Sequence, residues 1–215
     1  MKRKTLFITA AVMLVTAFII GTLAYQSQKA DSADARARQA LLARDYAPTT
    51  GPAEAKVHIV EFLDPACDTC RSFYPFVKRM VAANPGKIRV SVRYAPFHTN
   101  SDYVVKALEA TRRQGKYWEA LEALLATQSS WAPNHSPNPD LIWAQLAGLG
   151  LDLDRVRQDM NAPDIARNVA QDIADGKALK VTQTPEFFVN GKPMPSFGYE
   201  QLTALVGDAL ATTYR

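Results

Sequence analysis

The chain has 215 residues, and its balance of 47% hydrophobic and 21% charged residues is typical of a globular protein with a sizeable core. The net charge of +4 is local, because Lys2, Arg3 and Lys4 stand together at the start and the other basic and acidic side chains almost cancel. Composition and charge therefore argue against nucleic acid as a partner, since proteins that bind it carry a clustered basic face.

An apolar segment follows the basic start, and no charged residue lies between Lys4 and Lys29. A helix of that length, at about 1.5 Å per residue, reaches across a hydrocarbon core of about 30 Å. Residues 1–25 are therefore predicted to be an inner-membrane anchor that crosses the bilayer once, through residues 5–25. The basic start places the N-terminus in the cytoplasm and the rest of the chain in the periplasm.

The alternative for the same segment is a signal sequence cleaved after Thr22-Leu23-Ala24, which leaves a soluble periplasmic protein. The apolar stretch is longer than the ~7–15 residues typical of cleaved signals, and this length favours the anchor. Both interpretations place the bulk of the chain in a compartment where disulfides persist.

A linker and then a single domain are predicted after this segment. Residues 26–54 are rich in Gln, Ala, Ser, Asp and Arg and end in a Pro-Thr-Thr-Gly-Pro turn, a composition that predicts a linker with a helical stretch near 33–44. The domain is predicted over residues 55–215. The linker would hold it away from the bilayer surface.

The predicted domain opens with a strand–helix–strand unit. The β-branched, apolar run 57–63 predicts a buried strand, and a helical apolar stripe begins at Cys67 and stops at residues 84–86. The alternating run 88–94 predicts a second strand. Because a helix connects them, we expect the two strands to be parallel.

A helical insertion is predicted at about residues 98–178, and strands return after it. Its helices are expected at 103–114, 117–127, 141–149 and 153–160 and from 163 toward 177. The run 186–189 and residues 192–194 predict a hairpin around Asn190-Gly191, and the proline of the return strand favours a sheet edge. A last amphipathic helix is expected over 199–211.

The chain contains only two cysteines, Cys67 and Cys70, and they lie where the first strand gives way to a helix. A thiol in the first turn of a helix faces unpaired N–H groups and the positive end of the helix dipole, and both favour the thiolate. The thiolate is the nucleophile in disulfide exchange, and a second thiol in reach releases the mixed disulfide. Cys67 is therefore the predicted nucleophile, at the exposed start of the helix, and Cys70 the more shielded resolving thiol.

Two other roles for a pair of cysteines are a structural disulfide and a metal site. A structural disulfide that closes so short a loop would constrain the unfolded chain weakly. A metal site needs two further ligands, and His58, His98 and His135 are not paired at ligand spacing. Copper held by the two thiolates stays open, because soft ligands favour it. We expect neither a metal nor an organic cofactor in the exchange reaction.

Two segments carry a resemblance to a known family. Residues 59–70, Ile-Val-Glu-Phe-Leu-Asp-Pro-Ala-Cys-Asp-Thr-Cys, resemble the active-site segment of the thioredoxin superfamily, and residues 183–191 resemble its second signature, a loop with a cis-proline. The insertion, including residues 114–119, resembles the DsbA-like branch of periplasmic thiol:disulfide oxidoreductases. This resemblance implies an α/β thioredoxin-like fold, with a central mixed sheet flanked by helices and a helical insertion.

The resemblance also assigns further site residues. Pro185 matches the cis-proline, and Thr184 matches the preceding residue, whose backbone pairs with the substrate chain in relatives. Glu61, six residues before Cys67, matches a buried acid that relays a proton to or from the inner thiol. Asp64 is expected to be a turn residue and His98 a structural histidine.

The combined prediction is an extracytoplasmic thiol:disulfide oxidoreductase that acts on substrate proteins, with a membrane redox partner implied by the resemblance alone. Asp68 places a negative charge beside the incipient thiolate, and the pair Asp68-Thr69 differs from the Pro-His of strongly oxidising relatives. We therefore expect a less oxidising potential than theirs. The alternatives are a reductase or isomerase of the same fold and a copper-binding module that uses the thiol pair.

Overall fold

The computed structural model describes residues 13–16, 18–23, 25–26, 29 and 37–214. The described residues up to 26 are helical. Within the described ranges, no helix combines the length and the apolar content needed to cross a membrane. The predicted anchor over 1–25 falls largely on residues outside those ranges. A separate compact unit begins at Leu41 and contains the sheet.

A five-stranded sheet forms the centre of this unit. Its strands are β1 (Thr49–Thr50), β2 (Val57–Leu63), β3 (Ile88–Tyr94), β4 (Glu186–Val189) and β5 (Lys192–Pro193). The strand order is β1-β3-β2-β4-β5, with β2 and β3 parallel and the other neighbours antiparallel. The mixed sheet, the parallel central pair and the edge position of the proline-containing return strand are as predicted.

Helices cover the sheet, and most of them belong to the predicted insertion. They are α1 (Asp68–Ala82), α2 (Ser101–Arg112), α3 (Tyr117–Ala126), α4 (Gln128–Trp131), α5 (Ile142–Leu146), α6 (Leu153–Asp159), α7 (Pro163–Ala178) and α8 (Tyr199–Thr213). The short helix α4 was not predicted, because a single turn is too short to show a helical period. The remaining helices lie within a few residues of their predicted bounds.

The domain begins earlier than predicted, so the predicted linker over 26–54 is too long. Leu42 is only 1% exposed, and Arg44 forms an ion pair of 2.7 Å with Asp175 on α7. Thr49–Thr50 pairs with β3 as an edge strand. The polar composition of this segment suggested a tether, but its polar groups bind partners that are distant in the chain.

A buried cluster of charges holds the segment to the sheet. Arg93 on β3 has no exposed side-chain surface and donates to Asp172 and Asp175 on α7, each at 2.6 Å. The hydroxyl of Tyr46 donates to the same Asp172 at 2.6 Å. Because a buried charge is stable only when it is paired, these contacts fix the start of the domain against β3 and α7.

Three apolar clusters lie in the described part of the domain. One contains residues of β2, α1 and α8, among them Phe73 and Leu202. A smaller one packs Leu42 against residues of β2 and β4, among them Phe62. The third is formed largely by the helices of the insertion, with Trp131 fully buried, and it includes both Cys67 and Cys70. The insertion therefore covers the thiol pair.

Candidate active site

The two cysteines lie at the junction between β2 and α1. Cys67 is the N-cap residue of α1, with extended backbone angles of φ −80° and ψ 119°, and Cys70 lies in the first turn. Cys70 is fully buried, as predicted, but Cys67 is only 6% exposed. The expectation of an exposed nucleophile is therefore only partly right, because the insertion and a loop from the second half of the chain pack around its sulfur.

The two thiols have opposite protonation preferences. A hydrogen bond from the Cys70 thiol is the largest of the causes that lower the pKa of Cys67 to about 5, and the N–H groups of Cys70 and Thr69 act in the same direction against the effect of burial. Burial raises the pKa of Cys70, and its hydrogen bond to Cys67 raises it further. At neutral pH the pair is therefore a thiolate at Cys67 and a thiol at Cys70.

The second signature segment lies against the first. The peptide bond between Thr184 and Pro185 is cis, as predicted. The carbonyl oxygen of Thr184 lies 3.2 Å from Sγ of Cys67 and accepts a hydrogen bond when that sulfur is protonated. Strand β4 begins directly after Pro185 and pairs with β2, so the sheet itself brings this loop to the start of α1.

Glu61 lies in the middle of β2, opposite Val92 on β3 and Phe187 on β4. It is 2% exposed, so the predicted burial of this acid is confirmed. Burial, together with the charge of Cys67, raises the pKa of its carboxyl to about 8. The carboxylate in turn contributes to the raised pKa of Cys70, and the acid and both thiols therefore titrate as a coupled group.

Asp64 is a turn residue, as predicted, and it also organises the site. Its fully buried carboxylate accepts hydrogen bonds from the N–H groups of Ala66 at 2.9 Å, Phe97 at 2.7 Å and His98 at 3.0 Å, and from the hydroxyl of Ser101 at 2.6 Å. These bonds join the turn before α1 to the loop between β3 and α2. Asp64 thus fixes the position from which the helix of the thiol pair begins.

A pair of stacked histidines lies beside this turn. Nδ1 of His98 is 2.7 Å from Asp64, and its ring stacks on that of His135 with 4.9 Å between the centroids. Nδ1 of His135 lies 3.3 Å from the carbonyl oxygen of Ala66. The structural role expected for His98 agrees with these contacts, but the approach of His135 from the insertion was not visible in the sequence.

Gln128 makes a further contact with the turn that carries Cys67, and this contact was not predicted from the sequence. This fully buried side chain of α4 donates through Nε2 to the carbonyl oxygens of Pro65, at 2.7 Å, and Cys67, at 3.1 Å. The insertion therefore binds the backbone of the turn over residues 64–67, here called the thiol turn, directly. The contact joins residues that are 61 positions apart in the chain, and Gln128 lies on a helix of only one turn, so sequence spacing could not reveal it.

Asp68 affects the thiolate less than expected. Its side chain is about half exposed and lies 3.3 Å from Arg71 and 3.5 Å from Nε2 of His135. Solvent and the Arg71 guanidinium screen its charge, and Asp68 is not among the main causes that shift the pKa of Cys67. The physical reason given for a less oxidising potential is correspondingly weakened, and the potential itself stays a prediction.

Over the part of the chain that the structure describes, no three or more His, Cys, Asp or Glu side chains are grouped so that they could hold a metal ion. A copper ion in the alternative interpretation would therefore depend on the two thiols of Cys67 and Cys70.

The sequence profile of the family described as thioredoxin matches residues 43–208, so the chain belongs to the thioredoxin family. Within that family it resembles the DsbA-like thiol:disulfide oxidoreductases, as the helical insertion predicted. The matched range starts close to the structural start of the domain rather than at the predicted residue 55.

Solved structures show the same architecture. A thioredoxin-like oxidoreductase from Silicibacter pomeroyi DSS-3 is 31% identical, with a TM-score of 0.70 over 81% of this chain and 98% of that one. BdbD from Bacillus subtilis shares the fold at 20% identity, with a TM-score of 0.67 over 77% and 94%. The thiol-disulfide exchange protein α-DsbA2 from Wolbachia pipientis shares it at 19% identity, with a TM-score of 0.69 over 85% and 97%.

Larger proteins also contain a related sequence. The Na⁺/H⁺ antiporter NhaA 3 of Salinispora tropica is 33% identical over 166 residues, which is 75% of this chain and 24% of the antiporter. NhaA 1 of Salinispora arenicola is 34% identical over 76% of this chain and 24% of its own length. The chain thus spans about a quarter of these relatives, and antiport is an activity of the proteins so named.

Proposed function

We propose that this protein is an extracytoplasmic thiol:disulfide oxidoreductase that exchanges disulfides with substrate proteins through Cys67 and Cys70. The observation that carries the proposal is the pairing of a thiolate at the N-cap of α1 with a buried thiol in the first turn of the same helix. A low pKa keeps Cys67 reactive at neutral pH, and a high pKa holds the proton on Cys70 until it is needed.

The exchange proceeds in two balanced steps. In the reducing direction, the Cys67 thiolate attacks a substrate disulfide, a new S–S bond forms, and one substrate sulfur leaves as a thiolate. Cys70 then loses its proton and attacks Sγ of Cys67, which releases the second substrate thiolate and leaves the Cys67–Cys70 disulfide. The protein loses two electrons and the substrate gains them, and the reverse sequence oxidises a substrate dithiol.

Thr184 and Glu61 support these steps. The backbone of Thr184, which lies beside the Cys67 sulfur, is placed to pair with an extended substrate chain, a mode that reads main chain rather than side chains. Glu61 is the group that exchanges a proton with Cys70, since its carboxyl is buried near both thiols. It accepts that proton only when ionised, and ionisation becomes easier in the mixed disulfide, where the charge of Cys67 that helps to raise the pKa of Glu61 is absent.

The direction of exchange follows from the stability of the reduced form. A stabilised Cys67 thiolate favours the reduced protein, which makes the disulfide form an oxidant. Equilibration with glutathione should give a potential between those of DsbA and protein disulfide isomerase, about −120 to −180 mV. A potential near −270 mV, the value of a dithiol reductant, would contradict the oxidising direction and favour the reductase.

The proposed location is the periplasmic side of the inner membrane. The uncharged segment over residues 5–25 behind Lys2, Arg3 and Lys4 supports an anchor, and a membrane redox partner would then restore the thiol pair after each turnover. A membrane-impermeant maleimide should label Cys67 in intact, reduced spheroplasts. Labelling only after lysis would contradict the location.

A further inference from the structure

A polar pocket lies at the end of the sheet opposite the thiol pair. Its volume is about 440 Å³, and its walls come from the segment 43–53 and from the starts of β2 and β3. His58 lies near the start of β2, whereas Cys67 follows the end of that strand. The stretch from His58 to Leu63 alone spans roughly 16 Å, at about 3.3 Å per residue. The pocket is therefore separate from the site of the proposed exchange reaction.

His58 lines this pocket, is only 7% exposed and is held through one nitrogen of its ring. Nε2 lies 2.8 Å from Oγ of Ser91, and that oxygen lies 2.6 Å from Oγ1 of Thr49. The hydroxyl of Thr49 is also 3.1 Å from the carbonyl oxygen of Ala47, so the shorter contact favours donation of its single proton to Ser91. Ser91 then donates to Nε2, and the neutral imidazole carries its own proton on Nδ1.

Two buried nitrogen atoms of the lining residues have no hydrogen-bond partner among the residues that the structure describes. They are Nδ1 of His58 and Nε of Arg89, and these two residues lie directly opposite each other on β2 and β3. Burial, together with the charge of Arg89, lowers the pKa of His58 to about 4, so the imidazole is neutral at pH 7. An unpaired buried donor is costly, and two of them beside a cavity indicate that an acceptor from outside the chain completes the site.

Arg89 supplies the positive charge of the pocket. The other arginine of the wall, Arg44, donates through Nε and Nη2 to Asp175, and that carboxylate offsets its charge. Asp45 is the acid of the wall, but it is exposed to solvent, and no ion pair joins it to Arg89 in the described part of the chain. The pocket therefore offers the Arg89 guanidinium to a negatively charged ligand.

These donors suit a phosphate group. The guanidinium of Arg89 carries a fork of N–H groups that matches two phosphate oxygens, and Nδ1 of His58 adds a donor to a further oxygen. A volume of about 440 Å³ lies within the range of small-molecule sites, about 300–1,000 Å³. The cavity therefore has room for the phosphate and for part of the molecule that carries it.

We propose that this pocket binds the phosphate group of a soluble phosphate ester or of a phospholipid headgroup, through the guanidinium of Arg89 and the Nδ1–H of His58. The site goes beyond the proposed disulfide exchange and does not depend on it. Binding is non-covalent, so no bond forms or breaks. The segment 43–53, which forms one wall, follows the proposed anchor in the chain, and the test therefore separates a soluble ester from a lipid.

Nitrogen-15 NMR of the histidine rings tests the site in the full chain, held in a maltoside detergent. The chain has 3 histidines, and His98 and His135 lie beside the thiol turn, so their rings are internal controls. Titration with inorganic phosphate at pH 7 and constant ionic strength should shift the Nδ1 resonance of His58 to saturation and leave the other two rings unchanged. No shift of His58, or equal shifts of all three rings, would overturn the site.

Charge variants test which side chains hold the phosphate. Arg89→Gln should weaken its binding by about tenfold or more, because the charged fork is lost. Arg167→Gln, an exposed arginine of α7 that does not line the pocket, is the matched control and should leave the affinity unchanged. Asp45→Asn removes a repulsive charge and should tighten binding by about two- to threefold, which covers the case in which Arg89→Gln does not fold. Equal affinities for the wild type, Arg89→Gln and Asp45→Asn would contradict the proposal.

Two further ligands identify the source of the phosphate. Saturation of the His58 shift by glycerol 3-phosphate, at lower concentrations than inorganic phosphate needs, supports a soluble ester. The same shift in nanodiscs of phosphatidylglycerol, with no phosphate added, supports a lipid headgroup. No response of His58 to either ligand would contradict a phosphate ester of any kind. Disulfide exchange by Arg89→Gln should match that of the wild type, because Arg89 lies at the opposite end of the sheet from the thiols.

Discussion

Sγ of Cys67 lies 3.2 Å from the carbonyl oxygen of Thr184, although 117 residues separate them in the chain. The contact exists because β4, which follows Thr184, pairs with β2, which precedes Cys67. Two motifs that are remote in the sequence therefore form one surface, on which a thiolate and a main-chain acceptor lie side by side. In the proposed reaction, a substrate chain that pairs with this backbone would bring its sulfur to Cys67.

The two cysteines should give different phenotypes when each is replaced. Cys70→Ser should accumulate mixed disulfides with substrate proteins, because Cys67 still attacks and nothing resolves the adduct. Cys67→Ser should form none. Non-reducing gels and mass spectrometry of trapped adducts check this, and adducts on Cys70 in the Cys67→Ser protein would reverse the assigned roles.

The alkylation rate of reduced Cys67 should rise with pH around a midpoint near 5, since only the thiolate reacts. Cys70→Ala should move this midpoint upward, because it removes the hydrogen bond that is the largest cause of the low pKa. Iodoacetamide kinetics from pH 3 to 10, read by mass spectrometry, measure both midpoints. An unchanged midpoint would mean that the hydrogen bond of the Thr184 side chain and the N–H groups of α1 dominate instead.

Glu61→Gln should flatten the pH dependence of stability. The pKa of Glu61 in the folded protein, about 8, lies above its ordinary value. The contribution of this group to the free energy of unfolding is therefore complete below about pH 4.5 and is lost as the pH rises toward 8. One pKa unit is worth about 1.4 kcal/mol, so the wild type should lose about 3 kcal/mol from this group between pH 4 and 7. Urea unfolding of both reduced proteins at several pH values shows whether the slope disappears in the variant.

Arg93→Met should destabilise the domain by about 3–5 kcal/mol, because it leaves Asp172 and Asp175 with one buried partner fewer. Lys106→Met, which breaks an exposed ion pair with Asp102, is the control and should cost at most about 1 kcal/mol. Chemical unfolding at pH 7 measures both changes. Similar values for the two variants would show that the buried cluster adds no stability.

Gln128→Leu should cost about 1–3 kcal/mol, since the carbonyl oxygens of Pro65 and Cys67 lose their buried donor. Gln145→Leu, on an exposed part of α5, serves as the matched control and should change little. The reduction potential is the second readout, because a shifted Cys67 backbone alters the N–H groups that face its sulfur. A loss of stability with an unchanged potential would restrict Gln128 to a structural role.

Local pattern was sufficient for most of the scaffold. The β-branched run 57–63 and the alternating run 88–94 form the two central strands with those bounds. Apolar residues form a continuous run in a buried parallel strand and recur every three to four residues in an amphipathic helix, so a short window of sequence shows either pattern. The burial of Glu61 also followed from its apolar neighbours on the same strand.

The details of the site depended on contacts between distant segments. The residues that sequence reasoning missed or undervalued were Gln128, His135 and Asp64, and each acts on the thiol turn from, or through, another element. The exposure of Cys67 was misjudged for the same reason, since packing by the insertion sets it. The influence of Asp68 was overestimated for a local reason, because Arg71, three residues further along α1, pairs with its carboxylate.

The sequence by itself determined the class of fold, the order of its elements and the thiol pair, because these follow from periodicity and residue type along a continuous stretch. Only the tertiary structure decided where the domain begins, which thiol is ionised and what lies around Glu61. Burial and hydrogen bonding depend on contacts between residues that are distant in the chain. Those contacts set the pKa values of Cys67, Cys70 and Glu61, on which the proposed chemistry depends.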